Sequence, residues 1–246
     1  YLITKDTPTI ALTENFSGFT LRASVIALMG FIDDVVDLKA RYKFLFQLVA
    51  ATICYFYGIT IGGIKIPFIY TNIIDFGLLD FPVTLIWIIG ITNAVNLIDG
   101  LDGLAAGITA ISATALLIIF IATSASLEAI VITAVLLGAV LGFLPFNFNP
   151  AKTFMGDVGS NFLGFCLAVV SILGFAKGYT LIAIIAPILA LGVPIFDTLF
   201  AMVRRFLKGQ PMLKPDGAHI HHRLLKHGFN QRQAVLILYT ITSALC

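Results

Sequence analysis

Charge is what this sequence has least of. Of its 246 residues only 11% are charged while 59% are hydrophobic, and the mean hydropathy is +1.01. Soluble domains carry about a quarter charged residues. A water-soluble globular chain is therefore excluded, and a polytopic membrane protein is implied. Cysteine is nearly missing too: Cys54, Cys166 and Cys246 sit in apolar segments without ligand spacing and read as small core residues. No internal repeat, low-complexity tract or linker divides the chain, so one transmembrane domain over residues 1–246 is expected. The bases are few and lie beside apolar runs, which argues against nucleic-acid binding. No H-E-x-x-H pattern and no EF-hand spacing occur.

What is present is a series of apolar runs long enough to cross a bilayer as helices. Eight spans are expected: Phe16–Ile32, Phe44–Ile59, Phe81–Ile98, Leu104–Ala122, Leu127–Phe146, Asn161–Ala176, Tyr179–Val203 and Ala234 to the end. Pro187 and Pro194 are expected to kink the seventh. The stretch Thr60–Asp80 is too polar and broken to span, and predicts a short hairpin or a surface helix. The chain opens on a polar stretch and closes inside an apolar run, so a fragment of a longer protein is expected. The fold class implied is an all-α membrane helical bundle.

If the spans alternate, four loops share one side: Asp33–Lys43, Asp99–Gly103, Asn147–Ser160 and Arg204–Gln233. They hold eleven of the fifteen Lys and Arg, which makes that side cytoplasmic by the positive-inside rule. The same side collects Asp33, Asp34, Asp37, Asp99, Asp102, Asp157 and Asp216, with Asp197 near the end of its span. Burying seven carboxylates in lipid at roughly 2.5–3.5 kcal/mol each would exceed the roughly 5–15 kcal/mol by which proteins are stable. A wet, charged cleft open to the cytoplasm follows.

Four stretches carry the chemistry. Asp33-Asp34-Val-Val-Asp37 is either an acid cluster for a cation or a solvated helix end balanced by Lys39, Arg41 and Lys43. Asn93, Asn96, Asp99 and Asp102 recur at threefold spacing and supply oxygen ligands suited to Mg²⁺ or a polar substrate. The alternative is a capped turn with Gly100 and Gly103 in left-handed conformations. Asn147–Ser160 joins Lys152, Phe154, Gly156, Asp157 and Gly159, which suits a phosphate or nucleotide beside an aromatic platform. His219-Ile-His221-His222-Arg223 lies in the basic loop and suits phosphate oxygens or anionic lipid headgroups. Asp197 reads equally as an intramembrane functional acid and as a partner for Arg204 or Arg205.

In this order the four stretches resemble the polyprenyl-phosphate N-acetylhexosamine-1-phosphate transferases, most closely the branch that loads GlcNAc-1-phosphate onto undecaprenyl phosphate. The resemblance runs from about Phe31 to Tyr239. It implies an enzyme that takes a UDP-sugar and undecaprenyl phosphate, releases UMP, and starts a cell-envelope polysaccharide of the teichoic acid or O-antigen type. It implies Mg²⁺, with Mn²⁺ as the substitute, held by Asp157. Asp33 and Asp34 match acids that handle the lipid phosphate, and Lys43 matches a base that meets phosphate. Asn96, Asp99, Asn147 and Phe154 match nucleoside-binding positions, with Phe154 stacking on uracil. Asp102 counts with the substrate-binding acids, and His219, His221, His222 and Arg223 would contact the diphosphate. The sister transferase of phospho-MurNAc-pentapeptide shares most of these motifs and is the alternative; a carboxylate-lined transporter is the rival of another class. Whether the chain pairs as a homodimer stays open.

Overall fold

A computed structural model describes residues 24–28, 30–32, 35, 39–64, 74–175, 181–207, 209 and 219–246. Asp33, Asp34, Asp37, Lys214 and Asp216 lie outside the described residues. Residues 24–28 and 30–32, within the first expected span, are helical. Then follow α1 (Ala40–Phe56), β1 (Gly63–Ile64), β2 (Ile74–Asp75), a 3₁₀ turn (Gly77–Leu79), α2 (Asp80–Ile98), α3 (Leu104–Ala122) and α4 (Leu127–Asn147). The chain continues with α5 (Gly156–Phe175), α6 (Leu181–Ala190), α7 (Gly192–Leu207), α8 (Ile220–Lys226) and α9 (Gln231–Leu245). The fold is an all-α polytopic membrane bundle. Among the described residues, four helical stretches are long and apolar enough to cross a bilayer: Gly77–Ile98, Leu104–Ala122, Leu127–Asn147 and Gly156–Gly174.

The bundle is built on close helix contacts at glycine. Apolar side chains gain little by leaving lipid for one another, so membrane helices associate through tight packing of small residues. α2 and α5 share the most extensive contact, and at its centre a Cβ on Gly164 would come 2.8 Å from the Thr92 Cα. Gly174 lies under the Phe120 ring and Gly107 under the Tyr239 ring. Phe120 and Phe165 are completely buried, while Ile118, Ile121, Val135 and Phe200 point outward, as lipid-facing positions do.

Within Thr60–Asp80 the expected hairpin pairing is present, with Gly63 opposite Asp75 and Ile64 opposite Ile74. The buried carboxylate of Asp80 anchors it, accepting from the Gly62 N–H at 2.7 Å and the Thr84 hydroxyl at 3.2 Å.

The seventh expected span, Tyr179–Val203, is broken between two helices at Leu191. Pro194 has no N–H to give the Ala190 carbonyl one turn back. The Ser112 hydroxyl on α3 donates to that carbonyl instead, which keeps the broken backbone satisfied where water is scarce. Ser112→Ala leaves the carbonyl without this donor and is expected to cost about 1–2 kcal/mol, read as a lower thermal unfolding temperature in detergent.

Two further boundaries differ from the hydropathy reading. α5 begins at Gly156 rather than Asn161, because its polar first turn satisfies itself: Ser160 Oγ donates to the Gly156 carbonyl at 3.0 Å and Asn161 Nδ2 to the Asp157 carbonyl at 2.8 Å. The histidine stretch is likewise more than a loop: Ile220–Lys226 is helical, with His219 at its N-cap position. The carboxylate of Asp197, 4% exposed, accepts from the Ile220 N–H and lies 2.9 Å from His219 Nδ1.

Candidate active site

Asp157 sits in the first turn of α5, entered through Gly156 at φ +64°. Its carboxylate receives Lys43 Nζ from α1 at 2.7 Å on Oδ2 and Asn96 Nδ2 from α2 at 3.0 Å on Oδ1. The second Asn96 amide hydrogen goes to Ser160 Oγ at 2.8 Å. Three helices thus meet on one acid. Lys43, expected at a phosphate, is placed on this carboxylate.

A layer of amides, Gln47 and Asn161 buried and Asn93 half-buried, fixes the arrangement from behind. Gln47 Nε2 donates to Asn161 Oδ1 at 3.0 Å, and Asn93 Nδ2 donates to Gln47 Oε1 at 2.6 Å. Asn161 in turn donates to the Asp157 carbonyl, so α1, α2 and α5 are bolted together one turn below the acid. Gly30, in the helix before α1, lies against the backbone of Asp157 and Val158. Sequence reasoning missed the roles of Gln47, Ser160 and Asn161. An amide inside an otherwise apolar run was the available signal for Gln47.

Beside this cluster opens a cavity of about 310 Å³ lined by Asp99, Asp102, Asn147, Phe154, Met155 and Asp157, with the Gly100–Leu101 turn and Gly156. Asn147 organises the wall: its Oδ1 accepts from the Gly103 N–H at 3.1 Å and its Nδ2 donates to the Thr153 carbonyl at 3.0 Å. Phe154 is 75% exposed, a ring face open to a ligand. Burial, and then the facing carboxylates of Asp157 and Asp102, push the Asp99 carboxyl up to about 7.

The turn itself is only half what its glycines predict. Gly103 is left-handed, at φ +80°, but Gly100 serves to make room. A Cβ there would run into His221 Nε2. His221 is 2% exposed, and neither ring nitrogen has a hydrogen-bond partner among the described residues. Its ring stacks on His219 at 5.9 Å and lies 4.2 Å from His222. Thus His221 reaches the turn of Asp99 and Asp102 through Gly100, whereas His219 is engaged by Asp197 and Arg223 is exposed. Neither lines the cavity among the described residues.

Burial, reinforced by His222 and opposed by Asp197, lowers the His221 pKa to about 4. Between about 4 and the ordinary 6.5 the unfolded chain holds a proton that the folded one lacks. Stability is therefore expected to fall as pH drops from 6.5 towards 4. Thermal unfolding at pH 7 and pH 5 checks this, and the difference should shrink in His221→Asn.

Among the described residues no three His, Cys, Asp or Glu side chains are grouped as a ready cage for a metal ion. The carboxylates of Asp99, Asp102 and Asp157 line the cavity, oxygen donors that fit a hard divalent cation. Mg²⁺ is commonly held by one or two carboxylates together with water and substrate phosphate. Burial first, and then the neighbouring carboxylates of Asp157 and Asp102, disfavour a charged Asp99, and a bound cation would oppose all three effects.

The sequence over residues 16–175 matches the family described as glycosyl transferase family 4. The chain belongs to that family. Among its curated relatives, a probable undecaprenyl-phosphate N-acetylglucosaminyl 1-phosphate transferase of Bacillus subtilis (strain 168) is 44% identical, over 92% of this chain and 62% of the relative. A decaprenyl-phosphate N-acetylglucosaminephosphotransferase of Mycolicibacterium smegmatis is 37% identical over 93% of this chain and 63% of its own length. A phospho-N-acetylmuramoyl-pentapeptide-transferase of Halalkalibacterium halodurans is 36% identical, over 87% and 67%. The chain thus spans a little under two thirds of the length of the first two.

Proposed function

We propose that the protein transfers GlcNAc-1-phosphate from UDP-GlcNAc to undecaprenyl phosphate and releases UMP, from a cleft facing the cytoplasm. The observation that carries this reading is the Asp157 carboxylate, held by Lys43 and Asn96 at the edge of an acidic cavity with an open aromatic face. The relatives' names supply the substrate class, and the 44% relative favours GlcNAc over the muramoyl pentapeptide. The basic loops around the cleft favour the cytoplasmic side.

An oxygen of the lipid phosphate attacks the β-phosphorus. A new P–O bond forms to the lipid, and the bond to the oxygen bridging to the α-phosphorus breaks, so UMP leaves with that oxygen. Such transfers ask chiefly for positioning and charge stabilisation. Asp157 would hold Mg²⁺, which would supply neutralisation of the diphosphate charge. Lys43 keeps a positive charge beside the same point, Phe154 offers its face to the base, and Asn147 and Asp102 hold the cavity wall. The lipid phosphate, with a second pKa near 6, is mostly dianionic at pH 7, so it needs little help from a general base. Asp33 and Asp34 are accordingly assigned to orienting that phosphate. The transporter reading loses ground, since transporters bind near the midplane and here Asp99, Asp102 and Asp157 lie at helix ends.

The test offers UDP-GlcNAc and UDP-MurNAc-pentapeptide separately to membranes containing undecaprenyl phosphate and Mg²⁺. UMP release and a lipid-linked GlcNAc diphosphate are expected with the first alone. Product from the second alone would move the chain to the sister reaction.

A further inference from the structure

A second set of side chains, outside the cavity lining, grips the loop that forms its wall. Asp102 Oδ2 accepts from Asn149 Nδ2 at 3.0 Å and from the Ala151 N–H at 3.1 Å. The same Asn149 amide nitrogen gives its other hydrogen to Gln231 Oε1 at 2.9 Å. The Asn149 carbonyl accepts from Arg232 Nε at 3.0 Å. Asn149 is thus held by its side chain and its main chain at once, by the first two residues of α9.

These bonds are not needed to build α9. Its N-terminus is already closed by a reciprocal capping box between Asn230 and Gln233. Its body is anchored by the buried Ala234, Val235 and Leu238, and the Tyr239 hydroxyl donates to the Gly103 carbonyl. The Gln231 and Arg232 side chains are therefore available to act outward on the loop. That loop runs from Asn149 to Phe154, closed on itself by the Lys152 and Thr153 N–H groups donating to the Phe146 carbonyl at 2.7 and 3.1 Å. What Asn149 fixes is where one cavity feature points, the Asp102 carboxylate, which in turn accepts from the Ala151 N–H of the loop leading to Phe154.

We propose that Gln231 and Arg232 are positioning residues for the nucleotide half of the substrate, acting through Asn149 on the Asp102 carboxylate and the loop it holds at Ala151. The inference rests on the nucleotide-sugar reading above. Loosening the brace leaves Asp157, Lys43 and Asn96 in place, so binding of the nucleotide suffers and the transfer step does not.

The experiment uses the full chain with saturating undecaprenyl phosphate. Gln231→Ala is expected to raise KM for UDP-GlcNAc about tenfold, a single well-made hydrogen bond's worth, with kcat falling less than about twofold. Gln231→Glu keeps an acceptor for Asn149 Nδ2 and should bring KM back to within about threefold of wild type. An unchanged KM in Gln231→Ala, or a Glu variant as impaired as the Ala variant, overturns the proposal. Hydrogen exchange of the Phe148–Thr153 amides reads the brace without turnover: it should quicken in Gln231→Ala and not in Gln231→Glu. A wild-type chain that turns over no UDP-GlcNAc refutes the functional reading, whereas unchanged exchange in Gln231→Ala refutes the brace.

Discussion

Asp157→Asn is expected to lower kcat for UMP release by roughly 10²–10³-fold or more, the range seen when one preorganised electrostatic group is removed from a transfer site. The amide is nearly isosteric, so the Asn96 contact and the start of α5 are retained while the negative charge is lost. Lys43 then faces a neutral group at the point where it now sits 2.7 Å from a carboxylate. Because that pair is partly exposed, at 26% and 35%, its contribution to folding is small. The unfolding temperature should shift by only a few degrees. Activity and thermal unfolding measured on one preparation separate the two effects. A variant keeping a tenth of wild-type turnover would remove Asp157 from the chemistry.

Gly30→Ala has the largest expected effect on stability. The added Cβ would overlap Val158 Cα and lie 2.9 Å from Val158 N, and these are backbone atoms that no rotamer change can move aside. Overpacking typically costs about 1–3 kcal/mol. A rigid backbone clash belongs at or above the top of that range. For a chain of this size roughly 3 kcal/mol corresponds to a fall of about 6–12 °C in Tm. Because the clash strikes the first turn of α5, it also displaces Asp157, so kcat should fall along with Tm. Gly138→Ala in α4 is the control: a Cβ there meets nothing within 4 Å, and the better helix former should leave stability unchanged or raise it slightly.

The central helices were legible because bilayer crossing imposes a long, nearly uninterrupted apolar run. The expected Leu104–Ala122 span coincides with α3, and Phe81–Ile98 and Leu127–Phe146 each differ from α2 and α4 by one residue. Hydropathy failed where polar residues are satisfied locally. Ser160 and Asn161 bond one turn back, so α5 extends through a stretch that reads as loop. The break at Leu191 falls in the span that Pro187 and Pro194 were expected to kink, but the donor that satisfies the freed Ala190 carbonyl, Ser112, lies 78 residues away and was not legible. The stretches carrying Asn96, Asp99, Asp102, Asn147, Phe154 and Asp157 stood out as polar clusters between apolar runs, and the structure gathers them in and beside one cavity. Gln231 and Asn149 did not stand out. They are ordinary polar residues 82 positions apart, and only the fold makes them neighbours. Gly100 was legible as a turn glycine but not as the space for His221.

Direct attack requires the two phosphates to meet at the Asp157 cleft with no covalent stop on the protein. Exchange of labelled UMP into UDP-GlcNAc, catalysed by membranes carrying the full chain, tests this most directly. Exchange is predicted only when undecaprenyl phosphate and Mg²⁺ are both present. Exchange without any polyprenyl phosphate would instead demand a phosphosugar held covalently on the protein, and would contradict direct attack.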